Sequence, residues 1–153
     1  MLKIGTKAPE FILPDEEGND VSLRSFQGKK VVLYFYPKDD TPGCTTEACS
    51  FRDVYDEILS LGAVVIGMSA DSSKSHTKFK NKFGLPFYLL SDPDKKVLEQ
   101  YEAIGEKTMY GKTYLGILRS SYIIDEEGTI IEAYPKVKPA EHAAEVLQAL
   151  KGE

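Results

Sequence analysis

Two stretches of the chain are apolar with no alternation, KVVLYFYP at 30–37 and GAVVIGMSA at 62–70. Runs of this kind, rich in β-branched and aromatic residues, belong to strands covered on both faces. Between them Ala48, Phe51, Tyr55, Ile58 and Leu59 recur at helical spacing, which predicts a helix over 43–60 with one buried face. A strand, a crossover helix and a second buried strand make a βαβ unit, so the two strands are expected to pair in parallel. SSKSHTKFKNKFG at 72–84 has the pattern of an amphipathic helix closed by Gly84. PFYLLSDP then predicts a short strand and DKKVLEQY a short helix.

Two further segments read as β-hairpins. FILPDEEGNDVSLRSF carries short apolar pieces at 11–13 and 21–23 around an acidic, glycine-containing turn. GILRSSYIIDEEGTIIEAYP is expected to be two antiparallel strands joined at 126–128, with Arg119 in the first of them. KPAEHAAEVLQALKG predicts a terminal helix with Pro139 near its start and Gly152 past its end. Together the elements predict an α/β, thioredoxin-like order: a central mixed β-sheet flanked by helices, with an N-terminal β-hairpin. No repeat or linker divides the chain, and residues 1–153 are expected to form one domain.

Composition narrows the function. At 153 residues, 42% hydrophobic and 28% charged, the chain is long enough to bury roughly two thirds of its unfolded surface and needs no disulfide or metal for stability. A net charge of -5 with dispersed Lys and Arg offers no basic field for nucleic acid or anionic lipid. No apolar run approaches the roughly 18 to 20 residues that span a bilayer, and MLKIGTKAPEF lacks a secretory h-region. The expected location is therefore the cytoplasm, where thiols stay reduced. A close pair of cysteines there points to transient redox chemistry or metal binding.

That pair, Cys44 and Cys49, lies in PKDDTPGCTTEAC at 37–49. Thr41 suits an N-cap, Pro42 the first helical position, and Cys44 then falls third, in the first turn. Free backbone N–H groups and the positive end of the helix dipole favour a thiolate there. At about 100° and 1.5 Å per residue, Cys49 lies roughly 140° around the axis and about 7.5 Å along it, beyond the Cα separation of about 7 Å that a disulfide tolerates. Cys44 heads the apolar face, whereas Cys49 shares the polar face with Arg52, Asp53, Asp56 and Ser60. They cannot bridge while the helix is intact. Two readings stay open on the residues alone. Cys44 is a small buried hydrophobe and Cys49 an incidental thiol, or Cys44 attacks a substrate and Cys49 captures the oxidised sulfur once the first turns unwind. A metal site is the weaker alternative, because His76 and His142 stand in separate helices without ligand spacing. The four residues between the cysteines argue against a C-x-x-C reductase.

Pro37, Thr41 and Cys44 match the P-x-x-x-T-x-x-C motif of the peroxiredoxins, and Cys49 five residues on resembles their bacterioferritin-comigratory-protein or Q branch. GTKAPEFILPDEEG, FGLPFYLLSDPD, GEKTMYGKTYLGILRSSYIID and GTIIEAY are similar to that family as well, so the resemblance covers essentially the whole chain. Ile104 before GEK departs from it where an aromatic is expected. The resemblance implies a thiol peroxidase acting on hydrogen peroxide and organic hydroperoxides. It makes Cys44 the peroxidatic thiolate and Cys49 the resolving cysteine that forms an intramolecular disulfide. Thr41 would turn its hydroxyl toward thiolate and peroxide, Pro37 would shield the thiolate, and Arg119 would stabilise it. The implied partner is thioredoxin or a similar dithiol reductant, with no cofactor or metal. The chain has no third cysteine, and the family branch together with the absence of an obvious exposed apolar strand makes a monomer the expected state.

Overall fold

Strand β3 (Lys30–Phe35) is the axis of the fold, and its side chains alternate between two cores. Val31, Leu33 and Phe35 point to one face, Val32, Tyr34 and Tyr36 to the other. That two-sided burial explains the unbroken apolar run. The computed structural model describes residues 1–152. β4 (Ala63–Ser69) lies parallel to β3, with Val31 opposite Val64 and Phe35 opposite Met68. β5 (Tyr88–Ser91) continues the parallel side. On the other side of β3 run β8 (Ser120–Ile124) and β9 (Ile130–Tyr134), both antiparallel to their neighbours, giving the order β5-β4-β3-β8-β9. The mixed central sheet is as expected.

Helix α1 (Pro42–Ser60) makes the crossover between β3 and β4 and buries Ala48, Phe51, Tyr55 and Ile58 against one sheet face. Leu59, counted on that face from its spacing, is exposed. α2 (Ser73–Phe83), which ends at Gly84 in the left-handed region, and α4 (His142–Leu150) cover the same face. α3 (Lys96–Gln100) and the N-terminal hairpin of β1 (Ile12–Pro14) and β2 (Asp20–Ser22) close the other. A 3-10 turn at Leu23–Phe26 takes over where the second hairpin strand was expected to run on.

Three expectations need correction. GILRSSYIID is not one strand: β6 (Ile104–Met109) and β7 (Lys112–Ile117) form a separate two-stranded hairpin, and Arg119 lies in the short connection from β7 to β8. Both strands are largely exposed, so they lack the apolar alternation that marks a half-buried strand. The hairpin shows Met109, Tyr110, Tyr114 and Leu115 to solvent, against the expectation of no exposed apolar strand that supported a monomer. Pro139 precedes α4 by three positions rather than opening it.

Gly67 in β4 is a tight point of the central core. A Cβ there would sit 2.9 Å from Tyr34 Cζ and 3.0 Å from Leu89 Cδ2. Its partner Tyr34 stacks on Phe51 of α1 with ring centroids 5.1 Å apart. Gly67→Ala is expected to overpack this layer and lower stability by about 1–3 kcal/mol, read as a lower denaturant midpoint. An unchanged midpoint would show that Tyr34 yields freely.

Candidate active site

The register of the sheet brings the site together. β3 ends beside the start of β8, with Phe35 opposite Ser120, so Arg119 emerges next to the loop that leads from β3 into α1. The Leu118 amide donates to the Ala103 carbonyl at 2.7 Å and ties this connection to the base of the β6–β7 hairpin.

Pro42 is the first helical residue, so Cys44 occupies the third position of α1 as predicted. Its side chain is 2% exposed and free of any disulfide. Arg119 Nη2 donates to Cys44 Sγ at 3.2 Å, and Nη1 donates to Glu47 Oε1 at 2.9 Å. Burial works against the Arg119 charge, but the hydrogen bond and charge of Cys44, then those of Glu47, outweigh it and move its pKa up. Gly43 makes the close approach possible, since a Cβ there would lie 3.1 Å from Arg119 Nη2 and 3.6 Å from Pro139 Cγ.

Glu47 was absent from the sequence-derived site. Its side chain is fully buried, and its Oε2 has no hydrogen-bond partner. Burial raises its pKa from 4.5 to about 7, with Arg119 pulling the other way. The available signal was its spacing, three residues beyond Cys44, which puts both on one helix face. Lys107 of β6 also approaches: burial, then Arg119, depress its ammonium while Cys44 supports it.

Thr41 holds the N-cap backbone position, but its side chain makes no capping bond. Instead Thr41 Oγ1 donates to the Lys38 carbonyl at 2.8 Å. Pro37, half-buried, sits in the bend after β3. Cys49 is also half-buried, and α1 runs unbroken from Pro42 through both cysteines, so they stand apart as the helical arithmetic requires. His76, expected to be isolated, lies with Asp39 and Asp71, their ligand atoms within 4.8 Å of one another. Chain folding brings these together, and Tyr36, Ser75, Ser69 and the Asp39 amide already bond the carboxylates.

Residues 4–133 match the model of the AhpC/TSA family. The chain is 50% identical to the peroxiredoxin Bcp of Bacillus subtilis over 98% of its length and 96% of that protein. It is 47% identical to the Bcp of Escherichia coli, over 98% and 96%. Among solved structures, a PrxQ mutant from Xylella fastidiosa superposes with a TM-score of 0.94 at 37% identity, covering 99% of this chain and 97% of that one. The bacterioferritin comigratory protein of Xanthomonas campestris, described for its alkyl peroxide reduction activity, gives 0.88 at 44% identity, over 93% and 90%. Likeness of this degree, sustained along nearly all of both partners in each pair, makes the chain a peroxiredoxin of the AhpC/TSA family.

Proposed function

We propose that Cys44 is the peroxidatic residue of a thiol peroxidase acting on hydrogen peroxide and organic hydroperoxides, that Cys49 resolves it, and that thioredoxin or a similar dithiol protein recycles it. The observation that carries the reading is the Arg119 Nη2 contact to Cys44 Sγ at 3.2 Å in the first turn of α1. The thiolate attacks the terminal oxygen of the hydroperoxide. A sulfur–oxygen bond forms, the oxygen–oxygen bond breaks, and the departing oxygen takes up a proton to leave as alcohol or water, with the sulfur oxidised to sulfenic acid. Arg119 supports the charge on sulfur at the start and on the leaving oxygen as it develops.

Thr41 has committed its hydroxyl proton to the Lys38 carbonyl, so its oxygen is left to accept the O–H of the incoming hydroperoxide. Pro37, at the exit from β3, walls the thiolate from bulk water. Glu47 holds the far edge of the guanidinium. In the second half-reaction the Cys49 sulfur attacks the sulfenic sulfur, a disulfide forms, and the hydroxyl leaves with the thiol proton as water. The first turns of α1 must unwind for this, and Gly43, Thr45 and Thr46 are weak helix formers placed where that happens. An external dithiol then takes the disulfide. Cys44 and Cys49 lie five residues apart on one helix, so the disulfide needs no second subunit, which suits a monomer. No helix among the described residues is long and apolar enough to cross a membrane, and a chain whose two cysteines are kept apart by an intact helix carries no structural disulfide between them, which suits the cytoplasm.

Peroxide consumption coupled to thioredoxin and its reductase tests the assignment. Cys44→Ser is expected to abolish it, and Cys49→Ser to oxidise once and then stall; full turnover in either variant would remove that residue from its role. Replacing Thr45 and Thr46 by Ala is expected to slow disulfide formation while leaving the first oxidation unchanged, as followed by quenched-flow mass spectrometry. Glu47→Gln is expected to lower kcat/KM for peroxide by roughly ten- to hundredfold through the weakened hold on Arg119. It also carries a pH signature. Because the folded state raises the Glu47 pKa from 4.5 to about 7, its contribution to stability is complete below 4.5 and is lost as pH rises through about 7. Thermal midpoints of Glu47→Gln should fall less steeply than wild type across that interval, and parallel curves would contradict the shift.

A further inference from the structure

Helix α2 grips the chain on both sides of the segment that carries the two cysteines. Upstream the contact is Asp39, which is 7% exposed. Its Oδ1 accepts from Tyr36 Oη at 2.6 Å, and its Oδ2 accepts from Ser75 Oγ at 2.8 Å and faces His76 Nδ1 at 2.7 Å. The Asp39 amide donates to Asp71 Oδ2 at 2.8 Å. On the other side of the imidazole, His76 Nε2 lies 3.0 Å from the Leu90 carbonyl. A carbonyl only accepts, so Nε2 is the nitrogen placed to donate to Leu90. The His76 and Asp39 side chains are both sealed from water. The next residue, Asp40, takes a left-handed backbone (φ 54) and pairs with Lys82 near the end of α2 at 2.8 Å.

Downstream the contact is Arg52, whose Nη1 donates to the carbonyl of Phe83, the last residue of α2, at 2.7 Å. Phe51 beside it is fully buried. Between these anchors lie residues 41–50, whose side-chain bonds to elements beyond the helix start run through Cys44 and Glu47 to Arg119.

We propose that α2 is a two-ended clamp on the resolving segment: the Asp39–His76 pair fixes its upstream flank and the Arg52–Phe83 carbonyl bond its downstream flank, confining the unwinding that joins Cys44 to Cys49 to residues 41–50. This rests on the resolving role proposed for Cys49. Confinement matters because freeing more chain lowers the effective concentration of one sulfur at the other, whereas fixed flanks keep the search short. It also keeps the loop before α1 in place, ready to restart the helix once the disulfide is reduced.

Residue-resolved amide exchange by NMR on the reduced protein and on the Cys44–Cys49 disulfide tests this. In the wild-type disulfide form the amides of Thr45 to Cys49 are expected to lose protection while that of Asp39 keeps it. His76→Asn is expected to raise exchange at Asp39 by about tenfold or more in the disulfide form and far less in the reduced form, where the Cys44 and Glu47 bonds to Arg119 still hold the segment. Ser75→Ala, a milder change that leaves the pair intact, should shift Asp39 in the same direction by a smaller factor. The redox dependence is the signature, since a merely structural role would raise exchange equally in both states. The clamp is overturned if the wild-type Asp39 amide opens together with Thr45 on oxidation, or if the variants change both states alike. Intact mass separates this from the reading beneath it. If peroxide removes no two hydrogens from the protein, the resolving role of Cys49 falls; if the disulfide forms without the exchange pattern, the clamp alone falls.

Discussion

Arg119 turns one edge of its guanidinium to Cys44 Sγ and the other to Glu47 Oε1, so a single fixed cation answers two acidic groups on the same helix. That arrangement asks something of nearly every part of the fold. Cys44 and Glu47 must be three residues apart on α1 to present both atoms to one planar fork. The antiparallel pairing of β8 with β3 must deliver residue 119 beside the loop after β3. The β6–β7 hairpin must hold the connection in which Arg119 sits, which the Leu118 to Ala103 bond does. Burial raises the Glu47 pKa, and Arg119, which also serves Cys44, pulls it only part of the way back.

The same cation links chemistry to motion. Beyond Phe51, α1 is secured by aromatic packing against the sheet, with Phe51, Tyr55 and Ile58 buried. Before it, polar contacts at Cys44 and Glu47 are prominent among what holds the helix to the sheet's edge. In the reaction proposed for Cys44, oxidation to a neutral sulfenic acid removes one of the charges that Arg119 would hold. The proposed reaction would thus weaken the tie at the place that the resolving step needs to open, and leave the apolar anchoring of the rest of the helix untouched.

Much of this was legible before any coordinates. KVVLYFYP and GAVVIGMSA could only be doubly covered strands, and the spacing of Ala48, Phe51, Tyr55 and Ile58 fixed the face of α1 that meets them. The position of Cys44 in the first turn followed from Thr41 and Pro42. What escaped did so for physical reasons. β6 and β7 are mostly exposed and show no period to read, and they absorbed the residues that made Arg119 look like part of a strand. Glu47, a charged residue between threonine and alanine, reads as solvated until its partner 72 positions away is known. The bonds of His76 to Asp39 and Leu90 likewise arise from the way the chain folds back on itself.

Gly43 closes a familiar route for improving such a protein. Replacing a glycine in a helix with alanine is among the commonest ways to harden a fold, and the start of α1 would be the natural place to try it. Here the added methyl would stand 3.1 Å from the guanidinium of Arg119, close enough to push it aside by a few tenths of an ångström, with the ring of Pro139 in ordinary contact on the other side. Any gain in heat resistance sought at this position would be taken from the contact of Arg119 with Cys44, so thermal hardening has to be looked for in the distant half of the helix.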